Sequence, residues 1–407
     1  MEEKTIKNSK IPEIRFKGFT DAWEQRKLSE IATKVTTKNT SMEIDETFTN
    51  SAEFGIISQK DFFDHDISNL ENLNGYYIVD KDDFVYNPRI STFAPVGPIN
   101  RNRLGRKGVM SPLYTVFKTK NINKTFLEYF FKGSSWHSYM YLNGDSGARS
   151  DRFSIKDAIF MDMPIMCPEF EEQKKIGEML FSLDHLITLH QRKYEKLLTM
   201  KKSCLEKMFP KNENKIPEIR FKGFTDAWEQ RKLGDVAKYR NGKAHENDIS
   251  NNGKYIVVNS KFVSTDGSVK KYSDKQIEPL FKNEIAFVLS DVPNGRAIAR
   301  TYLVDEDNKY TLNQRIAGIT PNENINPYYL YILMNRNKYF LQFDDGVKQT
   351  NLSVSDVMNF NEMYPNNSEQ TKIGAFFSKL DNLITLHQRK LKMLQNIKKS
   401  CLEKMFV

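Results

Sequence analysis

The side chains of this chain best suited to chemistry are arginines, glutamines and asparagines in loops rich in glycine and proline. A guanidinium group pairs with O6 and N7 of guanine, and a side-chain amide pairs with adenine. Taken singly, such a residue is more often a phosphate contact or a surface charge than a base reader. As a set they indicate a nucleic-acid surface. The candidate DNA contacts are Ser58, Gln59, Lys60, Arg89, Ser91, Arg101, Arg103, Arg149, Arg152, Asn259, Lys261, Arg296, Gln314, Arg315, Lys348 and Gln349.

The charge of the chain also favours a polyanionic partner. Its 407 residues carry a formal net charge of +9. Basic proteins without such a partner are common, so the charge permits DNA or RNA binding without requiring it. No apolar run is long enough to cross a membrane, and no secretory leader opens the chain. We therefore expect a cytoplasmic protein with no membrane contact.

The cysteines and histidines show no metal or disulfide pattern. Cys167, Cys204 and Cys401 are odd in number and lack paired metal-ligand spacing, so we predict neither a disulfide framework nor a zinc site. The six histidines are scattered. His190 and His387 fall on the apolar faces of two predicted helices, where a hydrogen-bonded core histidine is more usual than a metal ligand. The sequence therefore predicts no metal site.

Two short motifs are similar to parts of catalytic sites. Asn326-Pro-Tyr-Tyr is similar to the strip that holds the target amine in amino-methyltransferases. Pro327, however, also suits the first turn of a helix, and no glycine-rich nucleotide loop follows an early strand. Asp307-Asn-Lys309 is similar to the end of a nuclease metal motif, but it lies in a charged run typical of a solvated turn. A single-chain DNA methyltransferase or nuclease with its own recognition repeats remains the alternative function.

The elements that must position these side chains occur twice. The stretch from Lys10 to Leu28 returns unchanged from Lys215 to Leu233, an offset of 205 residues. Leu186–Lys193 and Leu383–Lys390 also read the same, at an offset of 197 residues. The chain is therefore a repeat of prefix, variable segment and long helix. The aromatic residues and the last leucine of each prefix are predicted core anchors, and Thr20 or Asp21 is predicted to cap a helix entry there.

Each long helix has a narrow apolar seam. Between about residues 172 and 209, and again between 369 and 406, apolar residues recur in alternating steps of four and three. This period is typical of a coiled coil, so the two seams are predicted to bury each other. The alternative is two separate amphipathic helices, each packed on its own domain. The predicted contacts of the helix pair are Leu183, Ile187, His190, Leu197, Leu380, Ile384, His387 and Leu394.

The two variable segments differ in sequence but follow one plan. Each has short β-like runs, a loop rich in proline, glycine and arginine, and a short helix. A basic loop that contains glycine follows, Gly144–Arg152 in the first segment and Asp345–Asn351 in the second. We predict one α+β domain with a small, twisted sheet for each segment.

The repeated parts resemble the DNA-specificity subunit of type I restriction–modification enzymes. The likeness rests on Gly18-Phe-Thr-Asp-Ala-Trp23 with Leu28, on the helices Glu172–Ile187 and Glu369–Ile384, and on the order of the parts. It implies an α+β fold with two pseudo-repeated target-recognition domains separated by two long antiparallel helices that form a coiled coil. The recognition domains would be residues 1–170 and 210–367, and the spacer helices would be residues 171–209 and 368–407.

The resemblance also implies a function. The chain would be a non-catalytic subunit, and each domain would read half of an asymmetric, split site in double-stranded DNA. Two modification (methyltransferase) subunits and the restriction (translocase and endonuclease) subunits would be its partners. S-adenosylmethionine, ATP and Mg would bind to those partners, and this chain would bind no cofactor. A pure coiled-coil scaffold, which would not bind DNA, is a further alternative.

Overall fold

The computed structural model describes residues 11–62, 70–146, 151–211 and 214–407. The chain forms two compact units, residues 1–191 with 389–407 and residues 192–388. The borders of the units fall near the middle of each long helix, so each unit holds parts of both. Short strands and helices are mixed in each unit, which confirms the α+β class.

The first unit has twelve described strands and parts of both long helices. Its strands are β1 (Glu24–Lys27), β2 (Ala32–Lys34), β3 (Phe48–Ser51), β4 (Gly55–Ser58), β5 (Tyr77–Val79), β6 (Phe84–Tyr86), β7 (Ile99–Arg101), β8 (Gly108–Met110), β9 (Thr115–Thr119), β10 (Asp145–Ser146), β11 (Phe153–Ser154) and β12 (Pro164–Cys167). The helices that begin in it are α1 (Leu28–Ile31), α2 (Gln59–Phe62), α3 (Lys124–Lys132), α4 (His137–Asn143), α5 (Asp157–Met161) and α6 (Phe170–Lys207), with a 3₁₀ turn at Leu70–Gly75.

A four-stranded antiparallel sheet, in the order β2–β9–β6–β7, forms the base of the first unit. Phe84 of β6 lies opposite Phe117 of β9 on one side and Arg101 of β7 on the other. The rings of Phe84 and Phe117 stack with their centroids 5.5 Å apart, and Phe131 of α3 meets both edge-on. This aromatic core fixes α3 on one face of the sheet. The loop after Tyr86 therefore starts from a rigid strand end.

The second unit repeats this plan. Its strands are β13 (Glu229–Lys232), β14 (Ala237–Asn241), β15 (Tyr255–Val258), β16 (Tyr272–Ser273), β17 (Pro279–Leu280), β18 (Ile285–Val288), β19 (Ser290–Asp291), β20 (Thr301–Leu303), β21 (Tyr310–Leu312), β22 (Ile316–Pro321), β23 (Thr350–Asn351) and β24 (Asn361–Tyr364). The helices that begin in it are α7 (Leu233–Val236), α8 (Ser260–Ser264), α9 (Pro327–Met334), α10 (Lys338–Leu341), α11 (Val354–Met358) and α12 (Asn367–Lys404), with a 3₁₀ turn at Glu246–Asp248.

Two sheets organise the second unit. The antiparallel sheet β14–β22–β18–β20 corresponds to β2–β9–β6–β7 of the first unit. A second sheet, β16–β15–β21–β17, contains the parallel pair β15 and β21. Because these two strands are parallel, both end at the same edge of the sheet, at Val258 and Leu312.

The repeated prefix makes the same contacts in both units. Trp23 and Trp228 are each 2% exposed, and Leu28 and Leu233 are fully buried, which confirms them as core anchors. The predicted helix entry is wrong, because Glu24–Lys27 forms β1, which pairs with β12, and α1 begins only at the leucine. Pairing with a distant strand overrides the helical propensity of the local sequence here.

A buried ion pair ties each prefix to the start of a long helix. Arg15 Nε lies 2.7 Å from Glu172 Oε1, and Arg220 Nε lies 2.7 Å from Glu369 Oε1. The second nitrogen of each guanidinium donates to the other carboxylate oxygen, so both pairs are bidentate. The carboxylates lie in the first helical turn, where the helix dipole also favours negative charge.

The two long helices each span 38 residues, and their seam positions are less exposed than the residues between them. In the first unit, Leu180 near the start of α6 and Phe406 just beyond α12 belong to one core. In the second unit, Phe377 near the start of α12 and Phe209 just beyond α6 do the same. Within each unit, therefore, the start of one helix packs with the end of the other, as in an antiparallel pair. Helices that pack only on their own domains are excluded.

Corresponding ion pairs join the helices within each unit. In the first, Asp184 of α6 accepts from Lys398 Nζ at 2.5 Å and from the Tyr129 hydroxyl at 2.7 Å. In the second, Asp381 of α12 lies 2.5 Å from Lys201 Nζ. Burial alone would raise the pKa of Asp184, but the lysine and the hydroxyl hold that pKa below its ordinary value. In each unit, therefore, a carboxylate of one long helix pairs with a lysine of the other.

Candidate nucleic-acid interface

In the second unit, several predicted contacts meet where parallel strands end. Asn313, just after β21, donates its backbone N–H to Val258 O at 3.1 Å, so the segments after β15 and β21 are adjacent. Gln314 and Arg315 form the exposed turn into β22, and Leu289 N donates to Arg315 O at 3.1 Å. The turn therefore lies beside the end of β18. Carboxyl ends of neighbouring parallel strands are a common place for ligand-binding loops.

After β15, Asn259 caps a helix and Lys261 is exposed. Asn259 Oδ1 accepts the Phe262 N–H at 2.9 Å and so caps α8. That bond uses one acceptor of the side-chain amide and leaves its nitrogen as a donor. Lys261, one residue into α8, is exposed. The structure thus brings Asn259 and Lys261 to the same strand ends as Arg315.

A two-stranded ribbon, β19 with β23, extends from the end of β18. Ser290 lies opposite Asn351, and the backbone bond from Leu352 N to Leu289 O, 2.8 Å long, flanks this pair. The Gln349 amide nitrogen donates to Ser290 Oγ at 2.7 Å, which fixes the orientation of an otherwise exposed side chain. Gln349 is therefore held in one direction before any ligand arrives.

The loop that carries Arg296 is tied down by Asp291. The Asp291 carboxylate accepts the Ala297 N–H at 2.6 Å and the Ile298 N–H at 3.0 Å. It also fills the space where a side chain on residue 295 would start, since a Cβ built on Gly295 would lie 2.1 Å from Asp291 Oδ2. A side chain at this position would displace the Asp291 carboxylate from the two N–H groups that it accepts. Arg296 itself is exposed.

The loop that carries Lys348 is a neighbour of the Arg296 loop. The Asn294 amide nitrogen donates to Gly346 O at 3.3 Å. Asp345 accepts the backbone N–H groups of Val347 and Lys348, each at 2.9 Å, and these bonds lower the pKa of its carboxyl group. Lys348 is exposed on this folded loop. The second unit thus gathers predicted contacts from four separate stretches of sequence.

The first unit has a corresponding ribbon. Arg89, three residues after β6, forms an antiparallel bridge with Arg152, one residue before β11. Phe153 N donates to Pro88 O at 2.7 Å, as Leu352 N donates to Leu289 O in the second unit. The pair Arg89 and Arg152 therefore occupies the position of Ser290 and Asn351. Arg149, the remaining predicted contact of this loop, lies outside the described residues.

Asparagines hold the first ribbon at its base. Asn87 Oδ1 accepts the Arg89 N–H at 3.0 Å, and the Asn87 amide nitrogen donates to Asn50 O at 2.8 Å. Gly97 has φ +84°, and a Cβ built on it would lie 2.1 Å from Asn87 O, so the chain needs glycine there. Ser91 follows in a tight turn, with Ala94 N donating to Ser91 O at 3.1 Å. These contacts fix the backbone from which the exposed Arg89 and Arg152 side chains extend.

Two predicted contacts, Arg101 and Arg103, lie elsewhere. Arg101 is opposite Phe84 at the start of β6, whereas Arg89 follows the end of that strand. Arg101 pairs with Asp82, and although burial alone would raise the pKa of Asp82, this ion pair holds it below its ordinary value. Arg103 Nη2 lies 2.6 Å from Glu128 Oε2. The structure therefore does not bring these two arginines to the ribbon.

Ser58, Gln59 and Lys60 form a third location, at the end of β4 and the start of α2. Ser58 is 4% exposed. Gln59 donates its backbone N–H to Thr47 O at 2.8 Å and its amide nitrogen to Phe48 O at 3.4 Å. These two side chains face the protein, while Lys60 is exposed.

Ser290 and Asn351 are not among the contacts predicted from the sequence, although the sequence predicts that the loops Gly144–Arg152 and Asp345–Asn351 correspond. The equivalence of the two ribbons depends on which residues face each other across strands, and no motif in the sequence marks those partners. The number of residues between the strand and the glycine differs between the two loops. An alignment of the letters alone therefore does not give the register of the two ribbons. Backbone hydrogen bonds give the alignment directly.

The two motifs that are similar to parts of catalytic sites both make structural contacts. Asn326 Oδ1 accepts the Tyr329 N–H at 3.0 Å and caps α9, with Pro327 in the first turn, as Asn123 caps α3. Asp307 accepts the Lys282 N–H at 2.7 Å within a charged turn. The described residues hold no group of three or more His, Cys, Asp or Glu side chains that could bind a metal ion. No described helix is long and apolar enough to cross a membrane.

Comparisons with known proteins agree with the repeated architecture. The family model of the type I restriction modification DNA specificity domain matches residues 20–199 and 225–396. The MjaVIII specificity subunit of a type I restriction enzyme from Methanocaldococcus jannaschii is 25% identical over 324 residues, which is 73% of each chain. The MjaIX specificity subunit from the same organism is 24% identical over 322 residues, 75% of this chain and 70% of that relative.

A solved structure has the same fold. The S subunit of a type I restriction–modification system from M. genitalium superposes with a TM-score of 0.61 at 14% identity. The superposition covers 98% of this chain and 99% of that one. With two matches of one family model, two ribbons at equivalent strand ends and this shared fold, the chain belongs to the DNA-specificity family of type I restriction–modification systems and carries two target-recognition domains.

Proposed function

We propose that this specificity subunit reads an asymmetric, bipartite site in double-stranded DNA, one half with each unit, and is itself non-catalytic. Exposed lysines and arginines would neutralise phosphates and supply affinity that depends on salt. A smaller set of arginine, glutamine, asparagine and serine side chains on the ribbons and strand-end turns would select bases.

One observation carries the proposal. Both units place a ribbon at the end of the central strand of the sheet, but the facing pair is Arg89 with Arg152 in one and Ser290 with Asn351 in the other. The scaffold is repeated and the side chains at its tip are not. Units that carry different side chains at these tips would not make the same contacts with DNA, so two different half-sites are expected.

The partners that we propose are two modification subunits and the restriction subunits. The identical stretches Leu186–Lys193 and Leu383–Lys390 expose the same leucines outside the seam, with Leu186 and Leu189 at 40%, Leu383 at 36% and Leu386 at 47%. Apolar side chains exposed twice in the same pattern suit two copies of one partner. S-adenosylmethionine, ATP and Mg would bind to these partners, which would carry out the chemistry.

Methylation mapping tests the proposal. A host that expresses the chain with its modification partner should acquire one methylated motif with two unlike halves and an unspecified spacer. A motif that is continuous or palindromic would contradict two-unit reading. The purified chain alone, incubated with labelled S-adenosylmethionine and duplex DNA, should transfer no methyl groups, and specific transfer would instead support a single-chain methyltransferase.

A further inference from the structure

Two arginines face each other across the ribbon of the first unit. The backbone bonds on either side of Arg89 and Arg152 run from Phe153 N to Pro88 O at 2.7 Å and from Ile90 N to Asp151 O at 2.9 Å. Neither bond joins the two arginines to each other. This is the non-hydrogen-bonded type of antiparallel pair, in which the Cα atoms lie about 4.5 Å apart and side chains come closest. Both side chains therefore leave the same face of the ribbon.

Such a pair lowers stability when nothing is bound. Like charges directly opposite each other on neighbouring strands repel. Both arginines are exposed, and neither forms an ion pair with a carboxylate among the described residues. Asp151, the adjacent acid, belongs to the other face of the ribbon because successive side chains alternate. The scaffold does not require this arrangement, since Ser290 and Asn351 fill the same place in the second unit.

We infer that Arg89 and Arg152 together clamp one phosphate group of the DNA backbone in the first half-site. The inference rests on the proposed DNA-reading function and adds the ligand of this pair. Guanidinium groups bind phosphate oxygens in a bidentate manner. A phosphate brings a full negative charge between two positive ones, which removes their repulsion. A guanine edge is neutral and accepts one guanidinium group. The repulsion between the two arginines would therefore remain if they bound a guanine.

The two units would hold their half-sites in different ways. A phosphate contact fixes the register of a protein on the duplex without reading a base. The first unit would hold its half-site partly through this charged clamp. The second unit has no charge at the same place, and its Gln349 and Asn351 amides suit a base edge there. Removal of this charged pair should therefore reduce the salt dependence of DNA binding through the first unit.

Binding to a duplex of mixed sequence tests the clamp, because a phosphate contact does not depend on the bases. The full chain and its Arg89→Gln/Arg152→Gln variant would be titrated by fluorescence anisotropy between 50 and 200 mM salt. Loss of one phosphate contact should lower the slope of log affinity against log salt by about 0.9. Between 50 and 200 mM salt, the affinity of each protein falls by some factor. That factor should be about 3.5 times smaller for the variant than for the original chain.

The matched control removes two charges from the opposite end of the same sheet. Lys118 and Lys120 are exposed at the end of β9 away from the ribbon, and Lys118→Gln/Lys120→Gln should leave the slope unchanged. A slope lowered by about 1.8 in the arginine variant would mean two separate phosphates and would overturn the shared clamp. An unchanged slope would also overturn it. If the original chain binds no duplex at any salt concentration, the proposed function fails rather than this inference alone.

A second measurement needs no DNA. Because the arginines repel each other in the free chain, Arg152→Gln should raise the thermal midpoint of the full chain at low salt, and added salt should shrink the gain. Inorganic phosphate should raise the midpoint of the original chain more than that of the double arginine variant. A lower midpoint for Arg152→Gln, or equal phosphate responses, would show that the pair is a structural contact and would overturn the inference.

Discussion

Arg240 and Glu284 form an ion pair inside the second unit, with Arg240 Nη2 2.6 Å from Glu284 Oε2. Gly318, across from Arg240 in the sheet, makes room for it, since a Cβ there would lie 3.1 Å from Arg240 Nε. The first unit has Val35 in the place of Arg240, because residues 35 and 240 each lie three positions after the alanine that begins β2 and β14. Asp83 of the first unit corresponds to Glu284 of the second. The first unit therefore has a carboxylate at this position but no arginine to pair with it.

Asp83 should make the stability of the first unit depend on pH. Burial raises the pKa of Asp83 from 3.8 to about 6. The folded state thus binds this proton more tightly than the unfolded state, so the stabilising contribution is complete below about pH 4 and lost as pH rises through about 6. The difference corresponds to about 3 kcal/mol. Asp83→Asn should raise the urea midpoint at pH 8 and leave it nearly unchanged at pH 4. Equal pH profiles of variant and original chain would contradict this.

Removing Arg240 from the second unit should lower the stability of that unit. Arg240→Val leaves Glu284 buried without its counter-ion, which we expect to cost about 3 kcal/mol in the free energy of unfolding. Arg240→Val with Glu284→Leu should recover much of the loss, because no charge is then buried. The matched control is Arg231→Val, which removes an exposed pair with Glu229 and should cost less than about 1 kcal/mol. The prediction fails if both single variants lose the same amount in urea unfolding.

The end of the second long helix should stabilise the first unit. Phe406 is 7% exposed, and its ring centroid lies 5.4 Å from that of Phe126 and 6.2 Å from that of Phe130. Phe406→Ala should cost about 3–5 kcal/mol. Hydrogen exchange should speed up in β6, β9 and α3 and stay unchanged in β18 and α9. Met200→Ala, a truncation at an exposed helix position, is the control, and faster exchange spread over both units would argue against separate cores.

Ser290 should act on base choice through Gln349. Its Oγ accepts the Gln349 amide N–H at 2.7 Å, so Ser290→Ala leaves that amide with the longer bond to Asn351 Oδ1, at 3.3 Å, and holds it less firmly. We expect discrimination at one base of the second half-site to fall by about 1 kcal/mol, with Gln349→Ala costing about 1–3 kcal/mol at the same base. Relative methylation rates of duplexes with single substitutions measure this. A loss spread evenly over all bases would indicate a phosphate contact instead.

The two units should be exchangeable one at a time. Replacing residues 29–170 with the corresponding segment of another member of the family should change the first half-site and leave the second intact, because each unit has its own core. Methylome mapping of the hybrid with its modification partner reads both halves at once. A hybrid that alters both halves together would refute independent reading.

Several features of the fold could be predicted from sequence because they depend on local periodicity or on identical letters. The seam of α6 and α12 follows from apolar residues spaced in steps of four and three, which is a property of one helix alone. The repeat of Trp23 and Leu28 as Trp228 and Leu233 predicted equivalent core anchors, and all four are buried. The family resemblance rested on the same repeats and is confirmed.

Other features were decided by pairings between residues far apart in the chain. Glu24–Lys27 reads as a helix entry but becomes a strand because Pro164–Cys167 offers it a partner. Arg101 and Arg103 read as DNA contacts, yet Asp82 and Glu128 hold their guanidinium groups. Arg89 faces Arg152 only because two loops are drawn into one ribbon at the end of a strand. A sequence states which charges exist, but the energy of a charge depends on its neighbours, and only the folded chain brings those neighbours within a few ångströms.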